Sequence, residues 1–417
     1  MREMKDSGIE WIGKIPKEWS IVKFKYLHNG LNTGEAIDKE YWESDAGFNA
    51  FYTAGLTPIR TGYSNFPTWK ETRENDLLLA RNGTPYVYLP VSKAYYTDHI
   101  IRAAMSSLVN RRFIRYCLQQ SIASIAVDSV SIPTWSATLW NNQILTWPSV
   151  IEQERIAAFL DAECAEIDAV LEKTRASIEE YKKLKQAVIT QAVTKGIRGD
   201  RPMKGSGIEW IGEIPAGIPI SRVGLHFDIV LGKMLCSAPV DDNYTLESYY
   251  CAADVHFEGL SNGEKKKMWF SPDEKEQYCV KNGDLLVVEG GAGAGGCAIA
   301  ASTDVPIYIQ NSIMIVRSKG ISNIRYLRYL LECLVKKGYI DVVCNKATIP
   351  HFTKDKLANV PFIVFSQSEQ EEIAEYLNEK CAGIDALIVK KQQYLTEIEN
   401  YKKSLIYEYV TGKKEVV

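Results

Sequence analysis

The sequence predicts an α/β protein with two similar mixed α/β domains and two long helices that form an antiparallel coiled coil with pseudo-two-fold symmetry. Three observations predict it. The stretch SGIEWIG occurs at Ser7–Gly13 and again at Ser206–Gly212, 199 residues apart in a chain of 417, and each copy runs into an Ile-Pro. Short apolar runs of the first half return in the second with small drifts in spacing. Each half then closes on a long proline-free stretch with apolar residues at intervals of three and four. Repetition at so long a period marks duplicated domains, because solenoid repeats are only tens of residues long. Four segments follow: domains over 1–150 and 200–365, and long helices over 151–199 and 366–417.

Within the first domain, Leu77–Ala80 follows the turn signal Glu74-Asn75-Asp76, and Val87-Tyr88-Leu89 stops at Pro90. The second domain has Leu285–Val288 after Asn282-Gly283-Asp284. Short continuous apolar runs bounded by turn residues read as buried strands. Each run enters a turn, Arg81–Thr84 in one copy and Glu289–Gly296 in the other. Farther on, His99–Arg102 matches Ser312–Ile315, and Phe113–Tyr116 matches Tyr326–Tyr329, both at a shift of 213. The last pair opens an amphipathic helix in each copy.

The long stretches carry apolar residues at Ile156, Leu160, Cys164, Ile167, Leu171, Ile178, Tyr181, Leu184 and Val188. The second set is Ile373, Leu377, Cys381, Ile384, Ile388, Leu395, Ile398 and Leu405. A seam recurring about every 3.5 residues is what a coiled coil requires. About 44 residues at ~1.5 Å each make a rod of roughly 65 Å. Two such rods, each following its own domain in one chain, pair antiparallel. The alternative is two amphipathic helices, each folded back on its own domain; globular helices average about a dozen residues, which weighs against it.

Bulk composition excludes several classes. Net charge is −3, with 46% hydrophobic and 24% charged residues, and no run of eighteen apolar residues exists to span a membrane. The opening MREMKDSG lacks the apolar core of a signal peptide. Nine cysteines without a C-x-x-C pair suggest reduced thiols in a cytoplasm rather than zinc or a disulfide framework. No Gly-Lys pair is followed by Ser or Thr, no Pro-Pro occurs, and the five histidines show no H-E-x-x-H spacing. Two weak catalytic signals remain. Gly290–Gly296 has the glycine content of a phosphate cradle, but Glu289 precedes it and no lysine lies within it. Glu264-Lys265-Lys266, with Asp254 upstream, has the E-x-K order of metal nucleases, but it follows the turn Asn262-Gly263 and reads better as a solvated loop.

Cations, amides and planar rings cluster around the predicted turns. In copy one these are Arg60, Lys70, Arg81, Asn82, Thr84, Tyr86 and His99; in copy two, Lys233, Lys265, Lys266, Lys267 and Asn311. A further matched loop precedes each rod at a shift of 217, offering Ser131 and Trp135 in one copy and Lys346, Thr348 and His351 in the other. Arginine and lysine pair with guanine, asparagine and glutamine with adenine, and spare lysines hold phosphate. Tyrosines on strands also pack sheets, lysines also merely solvate a surface, and the matched loops also read as Ile-Pro linkers, so these residues mark loops more firmly than contacts.

Taken together, the doubled GIEWIG-x-IP lead-in, the Asp-Leu-Leu strand with its turn, and the rod openings resemble the specificity (S) subunit of Type I restriction-modification systems. The rod openings stand as Glu152–Leu160 with Ile167–Val170, and as Glu369–Leu377 with Ile384–Leu387. The resemblance spans essentially the whole chain. It implies that each domain is a target recognition domain reading one half of a split site on double-stranded DNA, with the rods fixing the gap. It further implies two methyltransferase subunits, which use S-adenosylmethionine on adenine, and restriction subunits, which use ATP and Mg. The chain itself is then expected to hold no catalytic residue, cofactor or metal. Two other readings are a nucleotide- or metal-dependent nuclease or transferase acting alone, and a coiled-coil scaffold that binds only proteins. If the rods act as a ruler, four residues inserted into both lengthen them by ~6 Å and change the preferred half-site gap by about two base pairs. Mapping methylated half-sites reads that gap, and an unaltered gap would refute the ruler.

Overall fold

In both copies the SGIEWIG repeat folds into the same tight hairpin. Met4–Asp6 pairs antiparallel with Lys14–Pro16, and Met203–Gly205 with Glu213–Pro215. The backbone N–H of Ser7 donates to Gly13 O, and that of Ser206 to Gly212 O. Gly13 and Gly212 have φ of +65° and +75°, which L side chains rarely adopt. The turn sends Ile12 and Ile15, and Ile211 and Ile214, inward to full burial. The computed structural model describes residues 2–42, 47–53, 55, 57–125, 133–344 and 350–416. They form two compact units, Met1–Arg175 with Gln392–Val417, and Ala176–Lys391. The division cuts both long helices.

Each unit is built on a four-stranded antiparallel sheet of the same order. In unit one it runs His28–Thr33, Ile100–Met105, Asp76–Ala80, Val87–Tyr88; in unit two, Phe227–Leu231, Ile313–Ser318, Leu285–Val288, Cys297–Ile299. The sequence runs read as buried strands are those strands. Asp76 and Asp284 make the preceding turns, each accepting a 2.8 Å bond from the backbone three residues earlier, Arg73 N and Lys281 N. A three-stranded sheet flanks each core sheet: Ile59–Thr61, Asn49–Tyr52 and Tyr95–Tyr96, and its counterpart Lys266–Phe270, Thr245–Tyr250 and Tyr308–Ile309. The amphipathic helices are Arg111–Ala123 and Ile324–Lys336, and the side chains of Asn110 and Asn323 cap them by accepting two backbone N–H bonds each.

The two long helices are Val150–Lys195, of 46 residues, and Gln367–Val410, of 44. Within unit one the ring of Phe159 meets Tyr409 at 4.5 Å, Lys402 donates to Asp168 at 2.6 Å, and Arg175 donates to Glu399 at 2.6 Å. One number rises as the other falls, so the segments run antiparallel. Unit two repeats the pattern, with Lys185 on Asp385 at 2.7 Å and Arg198 on Glu372 at 2.7 Å. Ends of both helices also enter the cores. Ile156, Leu160 and Cys164 join Leu405, Ile406 and Val410 in unit one, while Ile189, Ala192 and Val193 join Ile373, Leu377 and Cys381 in unit two.

Most of the expected seam is buried, including Leu171, Ile178 and Ile388; Ile167, Ile384, Leu395 and Ile398 are half-buried. Leu184 is not, standing 49% exposed. A straight helix drifts by about 20° per heptad from a strict 3.5 repeat. The face therefore passes to half-buried Lys185 and then to Ile189.

Two details explain the rod-opening motif. Gln153 and Gln370 are fully buried. Each side-chain oxygen accepts the backbone N–H of a capping asparagine, Asn110 at 3.2 Å and Asn323 at 2.8 Å. Each side-chain nitrogen donates to Pro148 O or Phe365 O. The preceding glutamates bind lead-in arginines: Glu152 takes Arg2, and Glu369 takes Arg201 at 2.7 Å. Losing a partner from a buried polar group costs about 1–3 kcal/mol, whereas exposed ion pairs contribute about 0.2–1 kcal/mol. Gln370→Ala should therefore lower stability by about 1–3 kcal/mol in urea denaturation, and Asp168→Ala by less than about 1 kcal/mol; equal losses would contradict this ranking.

Candidate nucleic-acid interface

The central strand of each unit ends in a turn that is stitched to the two loops read from sequence as its companions. In unit one, Arg81 N donates to His99 O at 2.9 Å, Gly83 N to Pro133 O at 2.9 Å, and Trp135 N to Arg81 O at 2.6 Å. These bonds bring Arg81, Asn82, Thr84, His99 and Trp135 together. The Asn82 amide nitrogen lies 2.9 Å from His99 Nδ1, and the exposed Arg81 guanidinium donates to Asp98 O at 3.3 Å. Thr84 is exposed. Trp135 is not a surface group: its indole N–H donates to Gly83 O at 2.6 Å, and it is 2% exposed. Tyr86 is half-buried against Tyr88, whose phenol is pushed up to about 12 by burial.

Unit two makes the same stitches. Glu289 N donates to Ser312 O at 2.8 Å, Gly291 N to Pro350 O at 3.2 Å, and Phe352 N to Glu289 O at 2.6 Å. His351 Nδ1 stands 3.5 Å from Glu289 Oε2. Asn311 N donates to Lys233 O at 2.8 Å, and the Asn311 side-chain oxygen accepts from Gln310 at 2.6 Å. Lys233, Glu289, Asn311 and His351 therefore share this end of the sheet. The backbone equivalence puts Arg81 and Glu289 at one position with opposite charge, a pairing that the shift of 208 would have exposed in the sequence. Gly34 and Gly232 were also passed over. A Cβ on Gly34 would lie 1.9 Å from Tyr96 O, and one on Gly232 2.4 Å from Gln310 O, so only glycine lets the chain leave the sheet here.

Several expected contact residues are occupied within the protein. Lys70 is held by Glu35 at 2.5 Å and Gly34 O at 3.0 Å. Lys233 is ion-paired with Glu274 and lies over the rings of Tyr244 and Phe270. Lys265 donates to Asp254 at 3.1 Å and to the carbonyls of Ser261 and Gly263. Burial would raise the Asp254 carboxyl, but the Cys251 N–H and the Lys265 ammonium hold it below the usual carboxylate range. Lys266 and Lys267 remain exposed, as does Arg60, which donates to Phe48 O at 3.3 Å. Ser131, Lys346 and Thr348 lie outside the described residues.

The glycine-rich turn has a packing role. Gly295 has φ of +81°, and a Cβ there would meet Ile340 Cδ1 and Val335 Cγ2 at 2.9 Å. The glycines let the turn press against the unit's own helices. Among the described residues no group of three His, Cys, Asp or Glu side chains could hold a metal ion. Among them, too, no helix is long and apolar enough to cross a membrane.

Residues 258–397 match the family described as the Type I restriction modification DNA specificity domain. A solved structure described as showing complex assembly and conformational transition of the type I R-M system superposes with a TM-score of 0.70 at 16% identity, covering 96% of this chain and 99% of the other. The HsdS subunit from Thermoanaerobacter tengcongensis gives a TM-score of 0.50 at 16% identity, over 96% and 98% of the two chains. A search among curated proteins found no match. The specificity domain thus has its matched residues in unit two and the start of unit one's returning helix, and unit one repeats the same architecture.

Each phosphate contact contributes about 0.9 to the salt slope of duplex binding. Replacing both Lys266 and Lys267 by alanine should reduce that slope by about two at intact stability. Lys265→Ala should instead lower the melting temperature, because it strands Asp254. Salt-titrated gel shifts with a thermal melt check both, and an unaltered slope in the double variant would remove Lys266 and Lys267 from the interface.

Proposed function

We propose that this chain is the non-catalytic DNA-reading subunit of a Type I restriction-modification complex, working in the cytoplasm. Each unit reads one half of a bipartite duplex target through the loops at one end of its central sheet. Two methyltransferase subunits, carrying S-adenosylmethionine, are directed to adenines of that target. Restriction subunits, carrying ATP and Mg, join them in the full complex.

The observation that supports this best is one frame built twice with different tips. The family match names DNA specificity, and the stitched turn keeps its backbone bonds in both units. At its first residue it carries Arg81 in one unit and Glu289 in the other. An arginine fork suits guanine, while a glutamate accepts from the cytosine amino group. Different tips on one frame suit two different half-sites. Of the residues the nuclease reading draws on, Glu264, Lys266 and the upstream Asp254, the last is ion-paired with Lys265 instead of facing an open site.

Sequencing methylated adenines in cells carrying this chain with its methyltransferase partner tests the proposal. Expected is one split motif with two unlike halves, lost when the chain is deleted. Methylation that persists without the chain, or a single uninterrupted motif, would overturn it.

A further inference from the structure

The end of each central sheet remote from the reading loops carries its own repeated feature. In unit one, Tyr26 is 69% exposed and Leu108 75% exposed. Their loops are joined by the bond from Ser106 N to Leu27 O at 3.0 Å. In unit two, Leu225 is 66% exposed and Ile321 56% exposed, and the matching bond runs from Lys319 N to His226 O at 3.0 Å. Tyr26 and Leu225 are 199 residues apart, and Leu108 and Ile321 are 213 apart, the shifts of the strands that follow or precede them. Single exposed apolar residues are ordinary, but the same pair at the same place in two copies is not scatter.

Exposed cations accompany both pairs. Lys23 and Lys25 flank the first, with the Lys25 ammonium 4.8 Å from the Tyr26 ring centre. Arg222 and Lys319 flank the second, where one carboxylate, Asp228, lies 3.7 Å from Lys319. Strand Ile100–Met105 begins beside His99, in the reading loops, and ends beside Ser106. Its six residues span roughly 20 Å at ~3.4 Å each. Ile313–Ser318 separates Ser312 from Lys319 in the same way. These patches are therefore placed away from the loops that face DNA, and large apolar side chains ringed by cations suit a protein surface with an apolar centre and acidic rim.

We infer that Tyr26 with Leu108, and Leu225 with Ile321, are equivalent docking surfaces for one protein partner that binds the chain twice. Resting on the function proposed above, that partner is the methyltransferase subunit, and what is inferred here is where on each unit it docks.

Co-expression of the full chain with the methyltransferase subunit of its system, followed by native mass spectrometry, tests the inference. The unaltered chain should carry two methyltransferase subunits. Tyr26→Asp with Leu108→Asp should leave one, Leu225→Asp with Ile321→Asp should leave one, and all four should leave none. Melting temperature and random-duplex binding should hold within error, since these side chains are exposed and outside the reading loops. If the fourfold variant melts early, Lys25→Glu with Lys319→Glu serves instead. It should weaken partner binding at least tenfold at low salt, with the difference shrinking as salt rises. An unaltered chain that binds no methyltransferase would overturn the function reading together with this one. Two subunits retained on every variant would overturn the docking surfaces alone. Self-association of the chain that the fourfold variant abolishes would assign the patches to a second copy and overturn the partner.

Discussion

Burial of helix ends is the constraint on which the remaining structure depends. In unit one the core is closed by Ile156 and Leu160 from one long helix and by Leu405, Ile406 and Val410 from the other. In unit two it is closed by Ile189 and Val193, and by Ile373 and Leu377. Neither core is complete within a continuous stretch of 150 residues. Each core therefore draws apolar surface from both long helices. Polar ties set the register. Gln153 and Gln370 bind the caps of neighbouring helices from inside the protein, where a lost bond costs several times what an exposed ion pair returns. Lys402 on Asp168 and Lys185 on Asp385 are the same pair made twice, 217 residues apart, and act as weaker markers of alignment.

The elements were legible in the sequence because their signals are local. Leu77–Ala80 and Leu285–Val288 are apolar runs after turn residues, and both are central strands. The long helices showed in their spacing. The fate of individual lysines was not legible. Lys70 meets Glu35 and Lys233 meets Glu274, carboxylates 35 and 41 positions away along the chain. No spacing rule links them; the fold does. Trp135 stood among the expected contact residues because tryptophan in a polar loop is ambiguous, and a backbone carbonyl, Gly83 O, decided it. Leu184 failed for another reason, since a seam counted in heptads slips against a straight helix. The Glu-Gln of each rod opening was visible as a signature, but its job required the capping asparagines to be seen in place.

Divergence between the two copies is confined by the same physics. Gly34 and Gly232 cannot change, because backbone carbonyls occupy the space a Cβ needs. Asp76 and Asp284 each hold a turn through a 2.8 Å bond and each meet an arginine, Arg102 in one unit and Arg317 in the other. The arginine comes from different positions on the matching strand and meets its aspartate differently, at 3.7 Å in unit one and through two bonds of 2.8 and 2.7 Å in unit two, so even this ion pair tolerates relocation. The small charged pair near the strand exit goes further and inverts, with Glu35–Lys70 in one unit and Lys233–Glu274 in the other.

Freedom is greatest where side chains leave the frame without supporting it. The turn after the central strand is fixed by main-chain bonds, Arg81 N to His99 O and Glu289 N to Ser312 O, which any residue but proline can make. Its first side chain is consequently free to be a cation or an anion at no cost to the sheet. A recognition protein needs this separation: rigid positioning of a loop to within a fraction of an ångström, and no structural demand on the group that the loop presents. The main chain carries the position and the side chain carries the choice, so two copies of one fold can present opposite charges at the same point.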